Sequence, residues 1–282
     1  MLITNLFTLV LSVLLGLHVA DAIECEADTF PGPQSNCIPC PSGGTSTPGE
    51  NHGVYSCQCP SGFAIEYKPE AVDQEIQCDD TTICDGVVDL QTGHCWKLVA
   101  NHSMAWQEAE DECMRWGGNL ASITSVEERT LVGLLYDAFG HEPGDFLWVG
   151  AKDVLEGNND DWKWTDANEM DTSGTFWESG RPDSSAASGT MDCGGLRKTS
   201  NAAKIRDVEC DTGTVGYVCK KKPICRSGYY WNEQAVTCDR CPSNGYSTPG
   251  ANLGVYSCVC PEGQALTYRY TVEGEERVEC VG

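Results

Sequence analysis

The sequence predicts an α+β domain set between two small disulfide-rich modules. Three observations predict it. Two six-cysteine segments repeat one another at the ends of the chain, two helical segments lie in the middle, and short strand-like pieces follow those helices.

The repeat comes first in the argument because it sets the boundaries. Cys25, Cys37, Cys40, Cys57, Cys59 and Cys78 are separated by 11, 2, 16, 1 and 18 residues, and Cys225, Cys238, Cys241, Cys258, Cys260 and Cys280 by 12, 2, 16, 1 and 19. Residues 40–60 match residues 241–261 at 16 of 21 positions. A module this small buries too little apolar surface to fold on its core alone, so three disulfides in each copy are the expected staples. Six cysteines allow 15 connectivities, and spacing does not choose among them. Zinc at Cys37-x-x-Cys40 with Cys57-x-Cys59 is disfavoured, since the cysteines are even in number and no histidine flanks them. The organisation is therefore a leader at 1–22, a first module at 23–82, a middle domain at 84–220 and a second module at 223–282.

Composition fixes the compartment. The chain has 282 residues and 18 Cys, an even number and high for a reducing cytosol, which points to export and oxidation. Residues Leu6 to Leu17 form a short apolar run, and Ala20-Asp21-Ala22 supplies a signal-peptidase pattern with cleavage after Ala22. No Lys or Arg precedes the run. The alternative is an uncleaved anchor over Leu2 to Val19, which the polar Thr8, Ser12, Gly16 and His18 weaken. No other stretch is long and apolar enough to span a bilayer, so the mature chain is read as secreted. Against 42 Asp+Glu stand 18 Lys+Arg, a net charge of -24. That excludes nucleic acid as a partner and disfavours anionic lipid and sulfated polysaccharide.

In the middle, Ser103 is the expected N-cap of a helix through Trp116, with Ala105, Ala109 and Cys113 recurring at helical spacing. Gly117-Gly118 ends it, and Leu120 to Ile123 reads as a short strand. Ser125-Val-Glu-Glu128 is a capping box that opens a second helix to about Phe139, with Leu131, Leu134, Leu135 and Ala138 on one face. Short strands are expected at Phe146–Val149, Trp162–Trp164 and Gly216–Cys219, with a long polar loop region among them. The run Lys220-Lys221-Lys222 reads as a solvated linker.

Two resemblances follow from these residues. Gly53-Val-Tyr-Ser-Cys57-Gln-Cys59 and its copy Gly254-Val-Tyr-Ser-Cys258-Val-Cys260 resemble the second half of an EGF-like module. The Cys-x-x-Cys-Pro followed by Ser-Thr-Pro-Gly looks more like the cysteine-rich repeats of ephrin-type receptors. In the middle, Cys95-Trp96, the Cys113 helix, Leu120-Ala-Ser-Ile123, Glu127-Glu128, Trp148-Val-Gly150, Trp162-x-Trp164, Trp177, Pro182, Cys193, Cys210 and Tyr217-x-Cys219 together resemble a C-type lectin domain over essentially all of 84–220. The resemblance implies disulfides Cys113–Cys219 and Cys193–Cys210, with Cys84–Cys95 the extra bridge of long-form members. It also implies that Trp148, Trp164 and Trp177 are packing residues.

In sugar-binding members of that family a calcium ion is held by hard oxygen ligands and accepts two sugar hydroxyls. A Glu-Pro-Asn or Gln-Pro-Asp motif, an acidic residue two before the next cysteine and a Trp-Asn-Asp triplet supply the ligands. Here those positions read Arg181-Pro182-Asp183, Met191 and Ile205-Arg206-Asp207. Of five side-chain ligands only Asp183 and Asp207 survive. A guanidinium never deprotonates, so Arg181 or Arg206 is expected to pair with Asp183 or Asp207 where the metal charge would sit. The plainer alternative leaves both arginines in solvent. Primary-site calcium is not expected on either reading. Asp153, Glu156 and Asp192 fall near the family's auxiliary calcium positions. A structural calcium there is one reading, and a solvated acidic loop in a chain acidic throughout is the favoured one. No cofactor is otherwise required.

No catalytic motif appears, and the five His (18, 52, 94, 102 and 141) are scattered. Asn101-His-Ser103 is an N-glycosylation sequon before the first helix. The leading expectation is a secreted recognition protein, not an enzyme, that binds an extracellular protein or non-standard ligand through Arg181, Asp183, Arg206 and Asp207. A carbohydrate-binding lectin is the second reading, and a structural or adhesive matrix component is the third.

Overall fold

A computed structural model describes residues 24–32, 36–48, 53–61, 63–67, 76–79, 83–100, 102–138, 145–154, 161–171, 175–183, 191–199, 202–222, 224–232, 234–235, 237–248, 254–270 and 276–282. The leader at 1–22, Asn101 and Glu156 lie outside the described residues.

The first module contains β1 (Thr29–Gly32) and β2 (Asn36–Pro39), an antiparallel pair, then β3 (Ala64–Tyr67) and β4 (Cys78–Asp79). Its disulfides join neighbours in sequence: Cys25–Cys37, Cys40–Cys57 and Cys59–Cys78. The second module repeats the arrangement with β13 (Tyr229–Asn232), β14 (Thr237–Arg240), β15 (Ala265–Tyr270) and β16 (Glu276–Val281). There the bridges are Cys225–Cys238, Cys241–Cys258 and Cys260–Cys280. Both copies thus select the same sequential connectivity out of the 15 that six cysteines allow.

Between them come β5 (Val87–Asp89), β6 (Cys95–Ala100), α1 (Trp106–Trp116), β7 (Asn119–Leu120), α2 (Val126–Ala138), β8 (Leu147–Asp153), β9 (Trp162–Trp164), β10 (Cys193–Thr199), β11 (Ala202–Val208) and β12 (Gly216–Lys221). Two helices with mostly antiparallel strands make this the α+β fold that the sequence predicts. The middle bridges are Cys84–Cys95, Cys113–Cys219 and Cys193–Cys210, the pairs the resemblance implies. No free cysteine remains among the described residues. Nine disulfides require folding in an oxidising compartment.

Helix α1 starts later than expected. Ala105, not Ser103, precedes it, and the Glu108 carboxylate accepts the Ala105 N–H at 3.1 Å. Tertiary anchors set this start: the Trp106 amide donates to the Cys210 carbonyl at 2.8 Å and its indole to the Val149 carbonyl at 2.8 Å. Gly117 ends the helix at φ 95°, a left-handed conformation that glycine adopts without a Cβ clash. The strand expected at Leu120 to Ile123 is only Asn119–Leu120, where the Glu110 carboxylate accepts the Leu120 N–H and the Asn119 side-chain amide. At α2 the Ser125 hydroxyl accepts the Glu128 N–H at 3.1 Å, as a capping box requires. Leu131, Leu135 and Ala138 are buried, but Leu134 is 38% exposed, since it lies on the flank of the stripe the other three define. Strand β8 runs beyond the expected Val149 to Asp153, and β10 and β11 form a hairpin where the sequence shows a long polar loop region. Trp148, Trp164 and Trp177 are all buried.

The first module is not a separate bead. Strand β3 pairs parallel with β5, so one ten-stranded sheet runs in the order β11-β10-β8-β12-β6-β5-β3-β4, with β7 paired to β12 and β9 to β8 off that path. Phe30, Val54, Ile65, Tyr67 and Ile76 of the module share one apolar cluster with Trp96, Leu131 and Leu135 of the middle. The second module has its own small cluster of Cys225, Trp231 and Cys238, and seats Trp231 against the turn at Gly93, where a Cβ would lie 1.8 Å from the ring.

A shared core makes a prediction. Tyr67→Ala removes a ring that is 1% exposed and should cost about 3 kcal/mol. Seven of the eight tryptophans lie in the middle domain. The denaturant midpoint read by tryptophan fluorescence should therefore fall with this first-module substitution; an independent module would leave it in place.

Candidate functional site

The long-loop positions singled out in the sequence are gathered by three elements. The peptide Arg181–Pro182 is cis, Met191 lies two residues before the start of β10, and Asp207 sits near the end of β11. Alternation along β11 buries Ala203, Ile205 and Asp207 and turns Arg206 to the other face.

Arg181 reaches inward. Its Nη1 donates to both oxygens of Asp207, at 2.9 and 3.0 Å, and approaches the Met191 sulfur at 3.8 Å. The Asp207 side chain is 1% exposed, and its Oδ2 also accepts the Asp183 N–H at 3.0 Å. Three positions that carry ligands in sugar-binding members, 181, 191 and 207, therefore converge on one guanidinium. Arg206 is not part of this group. Its guanidinium lies 5.3 Å from the Phe146 ring, and the Arg197 guanidinium lies 5.5 Å from that same ring. Of the four ligand-binding residues the sequence suggests, the structure gathers Arg181, Asp183 and Asp207 and sets Arg206 apart. Beside Arg181 is an open groove of about 630 Å³ lined by Trp177, Glu178, Arg197 and Lys204 among others. Arg197 pairs with Glu178 across it.

These residues do not fit calcium. The ion needs six to eight oxygens, and of the positions in question only Asp183 and Asp207 offer carboxylates, the second already neutralised by a fixed cation. At the auxiliary position Asp153 is buried, its Oδ1 accepts the Asp161 N–H at 3.1 Å, and its own N–H donates to the Asp192 carbonyl at 2.9 Å. Asp153 and Asp192 are thus neighbours through the backbone. Among the described residues no three His, Cys, Asp or Glu side chains are grouped to hold a metal.

Residues 102–221 match the family model described as the lectin C-type domain. This stretch is a C-type lectin domain. Over 135 residues the chain is 30% identical to the C-type mannose receptor 2 of Mus musculus, an alignment covering 48% of this chain and 8% of that protein. Over 132 residues it is 33% identical to the human versican core protein, covering 47% of this chain and 3% of that one. Among solved structures it is similar to herring type II antifreeze protein, with 27% identity, a TM-score of 0.37, and coverage of 46% of this chain and 91% of that one. It is likewise similar to human lithostathine, with 22% identity, a TM-score of 0.41, and coverage of 58% and 99%.

The lectin domain also holds a polar cluster that the sequence does not reveal. A cavity of about 730 Å³ is lined by His94, Glu128, Asp166 and Lys220 among others. Lys220 donates to Glu128 at 2.6 Å and to the Ser122 carbonyl at 3.2 Å, and lies 5.0 Å from the Trp96 ring. Glu128 also accepts the Thr124 N–H and hydroxyl at 2.7 and 2.9 Å. The basic run is therefore no solvated linker. Lys220 and Lys221 are buried in β12, Lys221 lies 4.0 Å from the Trp116 ring, and only Lys222 is exposed. Burial of the ring, and then the Lys220 charge, push His94 down to about 4.

Two predictions arise. Arg181→Met strands the buried Asp207 carboxylate and should cost about 3 kcal/mol, with most of that recovered when Asp207→Asn is added. Chemical denaturation of the single and double variants measures it. His94 is neutral in the folded state, whereas the unfolded chain takes up a proton below pH 6.5. Its contribution is complete above that pH and is lost as pH falls toward 4, on the order of 3 kcal/mol. His94→Gln should remove this part of the pH dependence of the denaturation midpoint.

Proposed function

We propose that the chain is a secreted C-type-lectin-like recognition protein. Its long-loop surface binds an extracellular protein or other non-standard ligand, with no calcium at the position where sugar-binding members hold one. One observation carries the reading: the Arg181 guanidinium rests on Asp207, with the Met191 sulfur beside it. A divalent cation brought there would meet a fixed positive charge and too few oxygens. The ligand would touch the rim formed by Arg181 and Asp183 and the groove beside it. Arg206 would contribute from the Phe146 side of the same hairpin. Cleavage after Ala22 and a glycan on Asn101 belong to this reading. So does the absence of catalysis, because recognition needs only a fixed surface.

The test is thermal unfolding of the secreted protein in millimolar calcium and in EDTA. A ligand at a hundredfold excess over its Kd stabilises by about 2.7 kcal/mol, so binding is visible as a shift of several degrees. The expected result is the same melting temperature in both buffers and saturable binding of the ligand in EDTA. A calcium-dependent rise abolished by Asp207→Ala but not by Asp153→Ala would overturn the reading and favour a sugar-binding lectin. The triple variant Arg181→Glu, Met191→Glu, Arg206→Asn should gain calcium-dependent retention on a sugar matrix.

A further inference from the structure

The two copies of the cysteine-rich module share their sequence and strand arrangement, yet only one has its face covered. In the first copy, Val54 is 2% exposed and Ala64 1%, and the Tyr55 ring lies 6.0 Å from that of Tyr67. The outer edge of β3 is also occupied. The Ile65 N–H donates to the Gly86 carbonyl at 3.2 Å, the Tyr67 carbonyl accepts the Leu90 N–H at 3.2 Å, and β5 runs parallel with Val87 opposite Ile65.

The second copy keeps Val255 for Val54, Tyr256 for Tyr55 and Ala265 for Ala64, and has the aliphatic Leu266 in place of Ile65. Here Tyr256 is 73% exposed, and Tyr246 and Val259, paired across a β-bridge, are 56% and 47% exposed. Ala265 is exposed, and β15 pairs with β16 alone, so among the described residues its outer edge has no strand. An open six-residue edge in a module that also bears solvent-facing tyrosines is a liability that folded proteins usually cover or blunt.

We propose that the outer edge of β15, together with Tyr256, whose counterpart Tyr55 packs against Tyr67 of β3, is a docking site for an extended apolar strand of a partner protein. The strand runs parallel to β15 as β5 runs parallel to β3. The first copy specifies the chemistry. The partner supplies main-chain hydrogen bonds, a β-branched aliphatic residue opposite Leu266 as Val87 stands opposite Ile65, and an apolar seat for the Tyr256 ring. A second copy of this chain does not offer that strand, because β5 already has β3 on one edge and β6 on the other. Two copies each bearing a net charge of -24 also repel one another. This site is separate from the long-loop surface and does not depend on how that surface is read.

The probe is a fluorescent peptide copying residues 83–91 with Cys84→Ser, added to the full-length protein. Anisotropy should show saturable binding with a Kd at or below about 1 mM. Hydrogen exchange should slow at 265–268 when the peptide is present. Leu266→Pro should abolish binding, and Tyr256→Ala, which leaves every cysteine and strand residue in place, should weaken it about tenfold. Sedimentation of the unliganded chain should show a monomer. No binding up to millimolar peptide, or slowed exchange confined to 64–67, would overturn the proposal. So would a concentration-dependent dimer that Tyr256→Ala dissociates, because the occupant would then be a second copy.

Discussion

The antiparallel pairing of Cys95–Ala100 with Gly216–Lys221 is the contact on which the rest of the molecule is arranged. These strands lie near the start and the end of the lectin domain, and their register sets Cys95 opposite Lys221. Closing the domain in this way forms its longest covalent loop, Cys113–Cys219, with a sequence separation of 106. In the chain-entropy account a bridge over about 100 residues is worth roughly 4.7 kcal/mol, more than any of the short bridges in the modules. It also brings the two flanking modules to one side. The Ile83 N–H meets the Ile224 carbonyl at 2.6 Å, and Arg226 of the second module lies 5.6 Å from the ring of Phe63 in the first.

Two charge pairs with at least one buried partner coexist in one domain. Lys220 of β12 and Glu128 of α2 neutralise each other beneath the helix, while Arg181 and Asp207 do so at the long loops. Neither pair adds much net stability, because desolvating the ions offsets their attraction. Their effect is on specificity of arrangement, since each partner left alone would be a buried charge.

Residue types made much of this legible, and long-range pairing hid the rest. The cysteine spacings, the Ser125-to-Glu128 cap and the Trp-Val-Gly and Trp-x-Trp pieces announce their elements because the signals are local. An arginine and an aspartate at family ligand positions imply a pair, but nothing in the sequence says that Arg181 rather than Arg206 takes Asp207. Strand alternation decides it. Strand β11 escaped notice because its third inward residue is Asp207, which breaks the apolar alternation at the place where its partner arrives from 26 residues away. Lys220 and Lys221 read as solvent-exposed for the same reason: Glu128 and Trp116, the groups that receive them, are remote in sequence. The parallel joining of β3 to β5 likewise needs the folded lectin domain as its template, so a module with every mark of autonomy turns out to be an extension of its neighbour's sheet.

The closure of the domain has a mechanical side. Force carried along the chain from one module to the other would enter β6 at Cys95 and leave β12 at Lys221, two positions that face each other across a single ladder. Strands loaded in this way are peeled, breaking one hydrogen bond at a time, and resist far less than strands sheared along their length. The peel is bounded by a bridge. Cys219 is two residues inside the loaded end and is tied to Cys113 in the first helix, so only the backbone between Cys95 and Cys113 can be drawn out before the load passes into covalent bonds. The remaining residues between Cys113 and Cys219 are shielded from tension, and the lectin domain would act as a link with a built-in limit to its extension.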